Sequence, residues 1–109
     1  MKLLLTSGGV KNPSIRSALD DLLPKPLTEC DALCITTSSY ALRNGPRMAY
    51  EYITTSSSTP MTDLGWKSLG VLEPTALPSL PTEQWRAWVE ASDVLLVNGG
   101  DPMYLCYWM

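Results

Sequence analysis

Asn98-Gly99-Gly100-Asp101 is the segment whose residue types are best suited to chemistry. It follows the apolar run Asp93 to Val97 and precedes Pro102, a residue favoured at the first position of a helix. Glycines at such a place let the backbone turn sharply and let a substrate approach the peptide groups. Free N–H groups at a helix start favour a negative atom, including a developing oxyanion. A glycine pair after a strand is more often a tight turn and nothing else, and Ser7-Gly8-Gly9 invites the same two readings. Ser38-Ser39 stands at the end of another apolar run, where a nucleophile can sit; without a base it reads as loop.

The absences narrow the chemistry. The chain contains no histidine, so neither a Ser-His-Asp nor a Cys-His site can be assembled within it, and a His-based zinc site is excluded. No G-x-S-x-G elbow, G-x-G-x-x-G turn or P-loop is present. The acidic residues show no pairing suited to a glycosidase. Cys30, Cys34 and Cys106 have neither redox nor zinc spacing and read as reduced thiols of a cytoplasmic protein. Cys106 lies on an apolar helix and not on an elbow, which makes it a poor nucleophile. Trp85, Trp88 and Trp108 read as core more than as ligand platforms. No cofactor or metal is implied.

The chain of 109 residues fits one small domain, and 45% of it is hydrophobic, enough for a core. A net charge of -3 with scattered Lys and Arg argues against a nucleic-acid partner. The apolar start Met1 to Leu5 stops at Thr6, too soon for a signal peptide or a membrane span.

The pattern that must position these residues alternates strand and helix. Lys2–Thr6 reads as a buried parallel strand, and Asn12-Pro13 caps and opens a helix with Ile15, Ala18, Leu19, Leu22 and Leu23 on one face. Asp31–Thr36 is a second strand. Thr36 to Gly45 is a polar loop, Pro46 to Thr55 a helix, and Met61 to Trp66 a short helical turn. Lys67–Leu72 is a third strand, followed by a stiff, extended stretch around Pro74, Pro78 and Pro81. Thr82 caps a helix that buries Trp85, Trp88 and Val89. Asp93–Val97 is a fourth strand, and Asp101 caps a last helix. Serial βα units imply an α/β fold with a parallel sheet of about four strands and helices on both faces. Ligands in such sheets sit at the carboxyl ends of the strands.

Met103 to Met109 is apolar or aromatic throughout and has no C-terminal stop signal. The expectation is that residues 1–109 are the N-terminal part of a single domain, cut short at Met109. The alternative is a helix buried in a dimer or in another partner.

The runs Lys2 to Gly9 and Asp31 to Thr36, and above all Asp93 to Leu105, resemble peptidase E-type proteins, the aspartyl dipeptidases related to cyanophycinase. These have a class I glutamine amidotransferase-like, flavodoxin-like three-layer fold. The resemblance covers nearly the whole chain, and its most specific part is the Gly-Gly segment. Asp101-Pro102 stands where the family usually has Asn-Thr; Asp caps a helix as Asn does. The resemblance implies a serine-type hydrolase of short peptides with N-terminal aspartate. It also implies that Gly100 is a backbone donor of the oxyanion hole and that Gly99 supports the turn. The family's serine elbow and histidine follow later in its sequence, at positions this chain does not contain. The chain alone is therefore expected to be inactive.

Overall fold

A computed structural model describes residues 1–109. Its centre is a three-stranded sheet in the order β2-β1-β3. Strand β1 (Asp31–Ile35) pairs in parallel with β2 (Ser68–Val71) on one side and with β3 (Val94–Val97) on the other. Helix α2 (Gly45–Ile53) carries the chain from β1 to β2, and α3 (Thr82–Ala91) carries it back across β1 to β3. Because such crossovers are right-handed as a rule, two of them in opposite directions imply helices on opposite faces of the sheet. The α/β class and the parallel sheet agree with the sequence pattern; the strands number three.

The expected strand at Lys2–Thr6 does not form: the segment has no regular structure, and Leu3 and Leu5 are exposed. The sheet consists of β2, β1 and β3 alone, and the exit of the segment is held elsewhere, where the Val10 N–H donates to the Pro60 carbonyl. Helix α1 (Pro13–Leu22) forms as the pattern requires. The Asn12 side chain accepts a 2.9 Å hydrogen bond from the Ile15 N–H, satisfying one of the free donors at the helix start.

Ala32 and Cys34 of β1 and Leu96 of β3 form the core with Tyr52 of α2, and Met61, Trp66, Leu69 and Val94 pack around it. Their spacing follows the period of two along each strand. Thr62 fixes the end of α2 by donating a 2.7 Å hydrogen bond to the Tyr52 carbonyl.

Three local expectations are corrected. Met61–Trp66 is a non-helical turn, with Gly65 at φ 96°. The stretch after Pro74 is a 3-10 helix, Pro74–Ser79, and not extended. Proline at its start has the φ a helix needs, and the Glu73 carboxylate accepts from the Thr75 N–H. Thr82 is the first residue of α3 and caps nothing. Helix α3 buries no residue, and Trp88 is exposed.

Candidate functional site

The carboxyl ends of the strands converge on a belt of hydroxyls and amides. The segment after β1 is a 3-10 turn, Thr37–Ala41, not an open loop. Thr36, Thr37, Ser38 and Ser39 are all buried. Burying four hydroxyls is tolerable only where they find partners. Ser38 Oγ donates to the Asn98 carbonyl at 2.7 Å, and Ser39 Oγ donates to the Gly99 carbonyl at 3.1 Å. Asn98 Nδ2 donates to Ser39 Oγ at 2.9 Å, and the Asp101 N–H donates to the Ser38 carbonyl at 2.9 Å. Thr37 Oγ1 donates to Glu73 Oε1 at 2.6 Å, tying in the end of β2. Of the four hydroxyls, only Thr36 Oγ1 is buried with no partner.

Two glycines allow this approach. A Cβ on Gly100 would overlap the Ser38 carbonyl, and its φ of 155° disfavours any side chain. A Cβ on Gly45 would overlap the Ser39 carbonyl. Gly99 has open space around it. The Gly99 N–H is taken by Asn98 Oδ1 at 2.9 Å and that of Asp101 by Ser38. Gly100 is exposed, and its N–H has no acceptor within the chain. Helix α4 (Pro102–Trp108) opens just beyond, with Asp101 Oδ1 accepting from the Tyr104 N–H at 2.9 Å.

The structure thus joins Ser38-Ser39 to Gly99-Gly100, two segments that the sequence keeps far apart. Both serine hydroxyls are occupied in backbone hydrogen bonds, so they hold the turn in place. Ser7-Gly8-Gly9 lies elsewhere: Gly9 packs on Pro60, and the Val10 N–H donates to the Pro60 carbonyl at 2.7 Å. Glu73 and Thr37 escaped sequence reading, because no local spacing marks a contact between the ends of two strands.

Formal charge gathers at the opposite end of the sheet. Asp93, just before β3, accepts from the Asp31 N–H at 2.8 Å and pairs with Lys25 at 2.9 Å. These two partners, the amide first, hold its carboxyl below the ordinary Asp range. Asp31 is lowered by the Ser68 hydroxyl and then by Lys67. Burial pushes the Cys34 thiol up to about 11, so it is a core side chain and not a nucleophile. No group of three or more His, Cys, Asp or Glu side chains is placed to hold a metal ion. No helix is long and apolar enough to cross a membrane. No protein-family model, curated protein or solved structure matches the chain.

Proposed function

We propose that this chain forms part of a peptidase E-like serine-type peptidase acting on short peptides with N-terminal aspartate. Gly100 contributes one donor of the oxyanion hole, and the nucleophilic serine and the histidine lie outside these residues. The observation that carries the reading is the free N–H of Gly100. It sits at the carboxyl end of β3 on a turn clamped by Ser38, Ser39 and Asn98. A donor held in place before the reaction stabilises a tetrahedral oxyanion without reorganisation cost. The test is the intact mass of the endogenous protein together with an assay on aspartyl dipeptides. A mass well above 12.0 kDa, with hydrolysis by the longer protein and none by residues 1–109, is the expected result. A mass of 12.0 kDa, or cleavage by residues 1–109 alone, overturns it.

A second reading is a non-catalytic binding module. Its support is the exposure of Met103 and Tyr107 on α4 and of Met109 just beyond it, at 77%, 79% and 74%. Sedimentation and proteolysis test it: a discrete dimer or complex with α4 protected is expected, and a monomer with α4 freely cleaved rejects it.

A further inference from the structure

The dipeptide Asn-Gly occurs twice in the chain, at Asn44-Gly45 and at Asn98-Gly99. An asparagine before glycine is prone to lose its side-chain ammonia, because glycine has no Cβ to shield its nitrogen or restrict the backbone. The fold treats the two copies differently.

At Asn44 the nucleophile is tied up. Gly45 is buried at the start of α2, and its N–H donates to the Leu42 carbonyl at 2.9 Å. It packs so closely on the Ser39 backbone that a Cβ would overlap it. Closing a ring through this nitrogen requires breaking the hydrogen bond and moving a packed helix start.

At Asn98 the reacting groups already meet. The Gly99 N–H donates to Asn98 Oδ1 at 2.9 Å, so the nitrogen lies against the side-chain carbonyl that it attacks. Holding reacting groups in contact removes much of the entropic part of a barrier. Ser38 Oγ donates to the Asn98 carbonyl at 2.7 Å. That carbonyl shares a peptide group with the Gly99 N–H, and drawing charge onto its oxygen makes the N–H more acidic. The leaving nitrogen, Asn98 Nδ2, is 2.9 Å from Ser39 Oγ, a hydroxyl able to relay a proton. Gly99 is exposed with open space around it, so water has access.

We propose that Asn98-Gly99 is a self-modification site, at which the folded chain converts Asn98 to aspartate and isoaspartate through a cyclic imide. The Gly99 nitrogen bonds to Asn98 Cγ as its proton passes to Oδ1. The tetrahedral carbon then re-forms its carbonyl and the Cγ–Nδ2 bond breaks. The hydroxyl proton reaches the departing nitrogen through Ser39, and ammonia is released. Water opens the imide at either carbonyl. The product bears a carboxylate in place of the amide that donated to Ser39, and the isoaspartate form has an extra carbon in the backbone. On the peptidase reading, a negative charge two residues before Gly100 opposes an oxyanion there. The reaction itself does not depend on that reading, since it uses only the atoms of the turn and water.

Peptide mapping by mass spectrometry tests it on the unaltered chain, held at mildly alkaline pH with and without urea. In the folded chain Asn98 is expected to convert at least about tenfold faster than Asn44, and at least as fast as it does in urea. In urea the two sites are expected to converge. Both aspartate and isoaspartate are expected at position 98. Asn44 converting as fast as Asn98 in the folded chain, or Asn98 slower folded than in urea, overturns the proposal. Aspartate without isoaspartate means direct hydrolysis and overturns it as well.

Discussion

Gly100 lies against the backbone of Ser38 so closely that a Cβ would overlap the Ser38 carbonyl, while the next amide, that of Asp101, donates to that same oxygen at 2.9 Å. This contact couples the turn after β3 to the turn after β1. Gly100→Ala is therefore expected to destabilise the chain by at least about 2 kcal/mol, from overlap and from a φ that alanine rarely adopts. Gly99→Ala, with open space and no positive φ, is expected to stay within about 0.5 kcal/mol. Urea unfolding of the two variants checks the contrast; equal losses would show that the contact does not constrain the turn.

Thr36 Oγ1 is buried without a partner, so it bears the cost of desolvation and gains no hydrogen bond. Thr36→Val keeps the shape and removes the hydroxyl. The expected outcome is a gain of about 1 kcal/mol, seen as a higher urea midpoint. Thr36→Ser keeps the hydroxyl, loses a methyl and is expected to lose about 1 kcal/mol. A loss in the valine variant would mean that the hydroxyl is in fact satisfied.

Tyr52 is fully buried against both β1 and β3. Tyr52→Ala is expected to cost about 3–5 kcal/mol, a large share of what so small a domain has. Loss of cooperative thermal unfolding is the readout. Retention of a near-normal midpoint would place the core elsewhere.

Stability at low pH depends on Asp31 and Asp93. Their carboxyls are held below the ordinary value of 3.8, so their stabilisation is present above that pH and is lost as pH falls through the lowered values. Lys25 is shifted upward, chiefly by its hydrogen bond to Asp93. Its share is present below the ordinary lysine value of 10.5 and is lost as pH rises through the raised one. Asp93→Asn is expected to flatten both limbs of the profile of unfolding midpoint against pH. An unchanged profile rejects the assignment.

The three thiols are expected to react unequally. Cys106 is exposed, while Cys30 and Cys34 are buried and raised by burial, Cys34 to about 11. A thiol reagent at mildly alkaline pH is expected to label Cys106 quickly and the other two only on unfolding. Rapid labelling of all three would mean that the core around Cys34 opens readily.

The sequence by itself determined the elements whose cause is local. Asn12-Pro13 starts α1 and Asp101-Pro102 starts α4, because an oxygen cap and a fixed φ act within one turn. The apolar runs at Asp31, Lys67 and Asp93 become strands, since each is short, β-branched or aliphatic, and ended by turn residues. Glu73 and Pro74 show the limit of such reasoning: three prolines suggested an extended stretch, and a carboxylate cap turned it into a 3-10 helix. Lys2–Thr6 has the composition of a strand, yet pairing depends on which edge is open, and composition does not encode that. Only the tertiary structure decided that β1 takes the centre, that Ser38-Ser39 is buried beneath Gly99-Gly100, and that Thr37 meets Glu73. Those contacts join residues 36 or more positions apart, where periodicity carries no information and the sheet order alone sets the distance.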